Sequence, residues 1–335
     1  MDNRNYNLLH KRIINKNEYI KFINELDIIN CHKVHLIKNF NKKHTIFPKT
    51  NNLFKTFITT AKKENNLFQL FRLQLLLKHF ISTKLLKSVN KIYFNNIDKT
   101  INDCQIFDYI IDKIDNNNKI YIRKRCPRWD FILYNVITDY KKIIKKSDNI
   151  KYLDIGCGDF KKTLKIKKFL NLEKENVHGT DLKTWGPYKE NKIKLDIKFK
   201  FEFIINNKLK YDDNTFDLIT CIYTLHHVEK LELFLKEINR VLKKNGHLIL
   251  IEHDVVSDYD RIIIELEHLL YITISEKKTK NYINKRDYML LFNKFEWDFL
   301  LKKHGFKFEI YNLIYTEQEY NINYNNSYYA IYKKI

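Results

Sequence analysis

Glycine, proline and alanine are scarce, with 6, 3 and 2 residues in a chain of 335. That usage excludes collagen-like and Gly/Pro-rich low-complexity chains. No apolar run approaches the roughly 18 residues a membrane-spanning helix needs. The greasiest stretch, LFQLFRLQLLLKHFI at 67–81, is interrupted by Arg72 and Lys78. The opening segment, MDNRNYNLLHKRIINKNEY, lacks the apolar core of a secretory leader. The five cysteines (Cys31, Cys104, Cys126, Cys157 and Cys221) are odd in number and form no CxxC pair. A reducing, cytoplasmic setting is therefore expected, without a membrane span.

What is abundant is charge and asparagine. Hydrophobic residues make up 44% and aromatics 14%, enough for a packed core. The net charge is +21, carried by 52 Lys and only 9 Arg beside 38 Asn, a usage that AT-rich coding alone favours. Its distribution is uneven: residues 1–150 hold 29 basic and 13 acidic side chains, residues 151–335 hold 32 and 27. All 6 glycines lie in the second half, starting at Gly156, so tight turns are concentrated there. The shift places a boundary near 115–150. It divides the chain into a basic, mainly helical region over 1–120, a basic linker and lead-in helix over 121–147, and a second domain over 148–335.

Apolar residues at three-and-four spacing, including Leu67, Leu70, Phe71, Leu77 and Phe80, predict helices in the first region. After DNNNK at 115–119 comes IYIRKRCPRWDF, where Arg123, Arg125 and Arg128 surround Pro127 and Trp129. Guanidinium groups match phosphates and an aromatic ring stacks on a base, so these residues are candidates for RNA contact. A plain basic turn leading into a helix over 130–146 is the alternative.

From residue 151 short apolar runs alternate with helical segments, the pattern of a parallel sheet covered by helices on both faces. Seven runs qualify as strands: 151–155, 176–182, 199–205, 216–223, 247–254, 306–314 and 328–334. An amphipathic helix precedes the fifth run and is expected to end at Gly246. The first run closes in LDIGCGDF, with Asp154, Gly156 and Gly158 in a turn where backbone can approach a ligand. A dinucleotide fingerprint requires a further glycine where Lys161 stands, which disfavours nicotinamide. Asp181, 23 residues after Gly158 and at the end of the second run, has the chemistry to accept both hydroxyls of a ribose.

These strings, YLDIGCGDF, VHGTDL, LKYDDNTFDLITCIYTLHHVE and INRVLKKNGHLILIEHD, resemble the class I S-adenosylmethionine-dependent methyltransferases, specifically the methyltransferase type 11 group. The similarity covers about 148–254 and extends toward 335; nothing recognisable covers 1–120. It implies a Rossmann-like seven-stranded methyltransferase sheet with its last strand antiparallel, and S-adenosyl-L-methionine as cofactor. It further implies that Asp154, Gly156 and Gly158 attend the methionine part, Asp181 the ribose, and Leu182 the adenine. Asn206 or Asn207 stands where such families carry an acidic residue for the adenine amine, and Phe160 replaces a frequent third glycine.

Tyr223 ends the fourth run, where its ring either faces the sulfonium methyl or packs. Glu252 and His253 in IEHD, with His227 of the His226–His227 pair, are the candidate general bases. Glu267 and His268 form a second acid and histidine pair. No metal is expected, because no third ligand is spaced near the paired histidines. Trp185, just after Asp181, is a candidate lid or stacking residue.

Three functions remain open. They are methylation of RNA, favoured by the basic first half; methylation of a small quinone-like acceptor, to which the resembled group mostly points; and a catalytically silent nucleic-acid-binding or partner-stabilising module.

Overall fold

The computed structural model describes residues 15–26, 33, 53–96, 103–115, 128–144, 149–184, 196, 198–276, 289–314 and 324–335. The seven apolar runs form one sheet of strands β1 (Tyr152–Ile155), β2 (Val177–Asp181), β3 (Lys200–Phe203), β4 (Phe216–Ile222), β5 (Leu242–His253), β6 (Phe306–Leu313) and β7 (Ser327–Lys334). Their order is β3-β2-β1-β4-β5-β7-β6. β7 enters antiparallel between β5 and β6, and the other pairings from β3 to β5 are parallel.

Strand residues alternate between two cores, as the pleat requires. Leu153, Ile155, Ile219, Cys221, Leu248 and Leu250 face one layer. It is completed by helices α1 (Lys16–Glu25), α8 (Leu231–Val241) and α10 (Lys294–Lys303). Tyr152, Leu218, Ile222, Ile249 and Ile251 face the other layer, built on α6 (Arg128–Ile143) and α7 (Lys161–Leu170).

A third core joins the N-terminal half to the C-terminal half. Helices α2 (Leu53–Lys63), α3 (Leu67–Phe80), α4 (Thr83–Ile92) and α5 (Asp103–Asp115) pack on α9 (Asp258–Glu276). Phe54, Phe57, Leu76 and Ile110 meet Ile262, Ile263, Leu266, Leu269, Leu270 and Tyr324 there. A buried ion pair crosses the same seam: Arg72 donates to Asp260 Oδ1 at 2.8 Å and to the Tyr324 carbonyl at 2.9 Å. The regions expected to divide near 115–150 thus share a hydrophobic core.

Element boundaries differ from expectation, most clearly in two helices. α6 runs from Arg128 to Ile143 rather than over 130–146. α8 ends at Val241, not at Gly246, because Leu242 already pairs with Phe216 and the β4–β5 register then shifts. Gly246 lies within β5, where an added Cβ would come to 2.9 Å from the Lys243 carbonyl and 3.1 Å from that of Asp217. Close backbone approach, not helix termination, is why glycine stands there. Among the described residues no helix is long and apolar enough to cross a membrane.

Candidate active site

The strand order reverses between β1 and β4, and the carboxyl ends of such strands frame a ligand crevice. Here β1 opens into a loop whose Gly156 and Gly158 have φ of +71° and +55°, values that favour glycine. Gly156 and Cys157 both donate backbone N–H groups to the Thr180 carbonyl, at 2.8 and 3.2 Å, which fastens the loop to β2. A Cβ on Gly156 would lie 2.3 Å from Thr224 Oγ1, so the loop also abuts the end of β4. Around Gly158 such a Cβ would meet only the Gly156 carbonyl, at 3.9 Å, so that edge of the loop faces open space. Phe160 holds φ +51° as the N-cap of α7, keeping with a side chain a left-handed turn that glycine would take without strain.

Asp154 is buried and paired in register with Gly179 and Thr220. Its Oδ1 accepts from Thr220 Oγ1 at 2.7 Å and its Oδ2 from Thr163 Oγ1 at 2.5 Å. The Thr220 hydroxyl also bonds the Tyr152 hydroxyl at 2.8 Å. Burial pushes the Asp154 carboxyl up to about 6, and the two threonine hydroxyls pull against that shift. The group braces β1, β4 and α7 from beneath the loop.

Asp181 ends β2 with Oδ2 accepting from Gly158 N at 2.9 Å and Oδ1 from Leu182 N at 2.7 Å. A carboxylate has about four acceptor positions, so each oxygen keeps one for a further donor. Leu182 beside it is 75% exposed, an apolar surface at the rim. Asn206 and Asn207, both with positive φ, form the turn closed by the Ile205–Lys208 bridge after β3. Asn206 is exposed and Asn207 half-buried.

Tyr223, at φ +52° just after β4, lies with its ring stacked on His253 at 4.8 Å and edge-on to Trp129 of α6 at 5.9 Å. Its hydroxyl donates to Ser327 Oγ of β7 at 2.6 Å. Trp129 also lies under the Lys162 ammonium, 5.1 Å away. Of the other residues read from the sequence as substrate contacts, Arg123, Arg125 and Trp185 lie outside the described residues. Arg128 opens α6, and its side chain lies outside them too.

The third group of functional candidates converges on the ends of β4 and β5. Glu252, wholly buried, accepts from the backbone of Leu225 at 3.1 Å and of His226 at 3.4 Å, and bonds His226 Nδ1 at 2.5 Å. Burial raises its carboxyl to about 7. His226 Nε2 faces His268 Nε2 of α9 at 3.3 Å, while His268 Nδ1 donates to the Ile264 carbonyl at 2.8 Å. Burial holds the imidazoles of His226 and His268 below their ordinary pKa, and lowers His253 to about 3. His227 is exposed, with its ring 4.1 Å from that of His226 and 5.3 Å from that of His268.

The two acid and histidine pairs divide by role. Glu267 binds the Tyr324 hydroxyl and the Asn325 amide, and Asp254 accepts from Lys294 N at the start of α10, so both acids tie elements together. Of the His226–His227 pair the sequence points to His227 as the base, whereas His226 is the imidazole in contact with Glu252. Only folding, which closes a separation of 26 residues, reveals that contact.

Residues 153–250 match the family described as a methyltransferase domain. The chain is similar to the ubiquinone biosynthesis O-methyltransferase of Pelagibacter ubique, 30% identical over 166 residues, which cover 46% of this chain and 62% of that protein. It is also similar to a sterol 4-C-methyltransferase of Caenorhabditis elegans, 31% identical over 133 residues, or 38% and 40% of the two chains. A solved S-adenosylmethionine-dependent methyltransferase from Methanosarcina mazei aligns with a TM-score of 0.42 and 20% identity, over 60% of this chain and 97% of that one. The chain spans less than two thirds of the length of these two curated relatives.

Proposed function

We propose that this chain, whose residues 153–250 match a methyltransferase domain family, is a class I S-adenosylmethionine-dependent methyltransferase that transfers the cofactor's methyl group to a small organic acceptor bearing an O–H or N–H. The observation that carries the reading is the open glycine edge at Gly158 set against Asp181, a carboxylate with acceptor capacity to spare for two vicinal hydroxyls. When bound, S-adenosylmethionine supplies an electrophilic methyl on a sulfonium. The chain's own part is alignment and water exclusion, worth about 7–11 kcal/mol when geometry is optimal.

In this reading Asp181 holds the ribose, Leu182 covers the adenine, and Asn206 or Asn207 accepts from its amino group. Gly156 and Gly158 admit the methionine end, with Asp154 holding their strand in place. Tyr223 walls the methyl side through its ring. Loss of the acceptor proton is assigned to the cluster of Glu252, His226, His227, His253 and His268 as a unit, because these groups share one end of the sheet and contact one another.

A small acceptor is favoured by the relatives, a ubiquinone biosynthesis O-methyltransferase and a sterol 4-C-methyltransferase. RNA is the second reading, favoured by the surplus of 16 positive charges in residues 1–150, and Arg123, Arg125, Arg128, Trp129 and Trp185 would be its contacts. A cytoplasmic location suits the free buried thiols Cys157 and Cys221.

Calorimetry with S-adenosylhomocysteine tests the cofactor: binding to the wild-type chain and its loss in Asp181→Ala are expected, and equal affinity overturns the ribose assignment. Incubation of a source lysate with methyl-tritiated cofactor tests the acceptor. Label in the organic-soluble fraction is expected. Label in RNA that falls steeply with salt would replace the small acceptor by RNA, and absence of label with intact cofactor binding would leave a binding module.

A further inference from the structure

The histidine cluster has a geometry that proton transfer alone does not require. His268 Nδ1 donates to a carbonyl, which only accepts, so in the neutral ring Nε2 carries a lone pair. His226 Nδ1 bonds Glu252, whose Oε1 is at the same time approached by two backbone donors, the arrangement of an ionised carboxylate. With Nδ1–H donating to that carboxylate, His226 Nε2 is a lone pair as well. Two lone pairs then point at each other across 3.3 Å in a part-buried site. A cation or a shared proton bridges such a pair.

We infer that His226, His227 and His268 form a binding site for a divalent late first-row cation, zinc fitting best, with Glu252 fixing His226 from behind. Two nitrogens each about 2.0–2.1 Å from a tetrahedral zinc stand about 3.3 Å apart, which is the separation His226 and His268 already have. One nitrogen from each of the three histidines lies within 4.8 Å of the others, so His227 is within a side-chain adjustment of closing the set. The second contacts match too: metal-ligating imidazoles characteristically donate their other N–H to a carboxylate or a carbonyl, and Glu252 and the Ile264 carbonyl are those acceptors. Imidazole ligands suit zinc, copper, iron and nickel and not magnesium or calcium. Three protein ligands also leave a fourth position for water or an acceptor oxygen, whose proton the cation would acidify. The chemical use of the site rests on the methyl-transfer reading; the presence of the cation does not.

Sequence spacing hid this site because the third ligand lies 42 residues beyond His226, on α9. The shared-proton alternative, with Glu252 protonated and His226 Nε2–H donating to His268, is what a metal-free protein would hold. Cation binding must therefore displace one proton.

The test is equilibrium dialysis of the full chain against zinc, with metal counted per chain, and titration with cobalt(II) followed by its visible ligand-field bands. One zinc per chain and cobalt bands of a four- or five-coordinate nitrogen site are expected. His268→Ala and the exposed His227→Ala should both abolish stoichiometric uptake. Glu252→Gln should weaken it by roughly 10- to 100-fold, and His304→Ala, outside the cluster, should leave it unchanged. Uptake equal to buffer, or uptake that survives both His227→Ala and His268→Ala, overturns the site. Neither measurement uses S-adenosylmethionine or turnover, so failure of the metal site and failure of the methyltransferase reading are separately visible.

Discussion

Gly156 shows what a single residue contributes to the cofactor loop. Its φ of +71° and the 2.3 Å approach of Thr224 Oγ1 leave no space for a methyl. Gly156→Ala should cost about 1–3 kcal/mol in urea unfolding through backbone strain alone, more through the clash, and weaken S-adenosylhomocysteine in calorimetry. Adding Thr224→Ala should recover the steric part and not the φ part; full recovery would locate the whole effect in the contact.

Asp154 makes a pH-dependent prediction. Burial raises its carboxyl from 3.8 to about 6, so the folded chain holds the proton more tightly than the unfolded one. That contribution is complete below pH ~4 and is lost as pH rises to about 6, amounting to about 3 kcal/mol at 1.36 kcal/mol per pH unit. Relative to Asp154→Asn, the wild-type chain should lose that stability between those two pH values and remain level above them. A difference that does not change with pH would contradict a buried, proton-holding Asp154. At this scale the sequence was readable where chemistry is local, as in the turn LDIGCGDF. It was unreadable where partners are distant: nothing in IEHD tells that Glu252 turns to His226 while Asp254 goes to Lys294.

Among the elements, α9 bears most weight. Its apolar face belongs to the core shared with α2–α5, its Asp260 receives Arg72, and its His268 reaches the end of β4. Removing one partner of a buried ion pair leaves the other uncompensated, at a cost of about 3–5 kcal/mol. Arg72→Met should therefore lower stability by that amount and speed amide exchange in α3 and α9 ahead of the sheet. Exchange that rises evenly over the whole chain would argue against a seam at Arg72. Strand positions were legible because continuous apolar runs such as LILI mark strands buried on both faces. The end of α8 was not, since Leu242 to Asn245 have helix-compatible side chains and are captured by pairing with β4.

For the whole molecule, the basic half and the glycine-bearing half differ in composition but not in core. Deleting residues 1–115 should expose Ile262, Ile263, Leu266, Leu269 and Leu270 together. An apolar patch of that size invites association, so the remaining piece should bind a hydrophobic dye and elute as aggregate. A monodisperse, dye-silent fragment that retains S-adenosylhomocysteine would show that the halves fold apart. Composition revealed the charge contrast but carried no trace of this packing, because apolar faces on α2–α5 and on α9 look alike whether they pack within or between regions.

The position of β7 has a further consequence for biosynthesis. Ser327–Lys334 fills the place between β5 and β6, so Phe306–Leu313 has no strand neighbour in the sheet until residue 334 has been made. At about 5–20 residues per second, a growing chain emerging from the ribosome carries an unpaired β5 edge and a waiting β6 for some seconds. Nascent chains therefore carry unpaired strand edges until Ser327–Lys334 has been made, and the sheet closes only as synthesis passes β7.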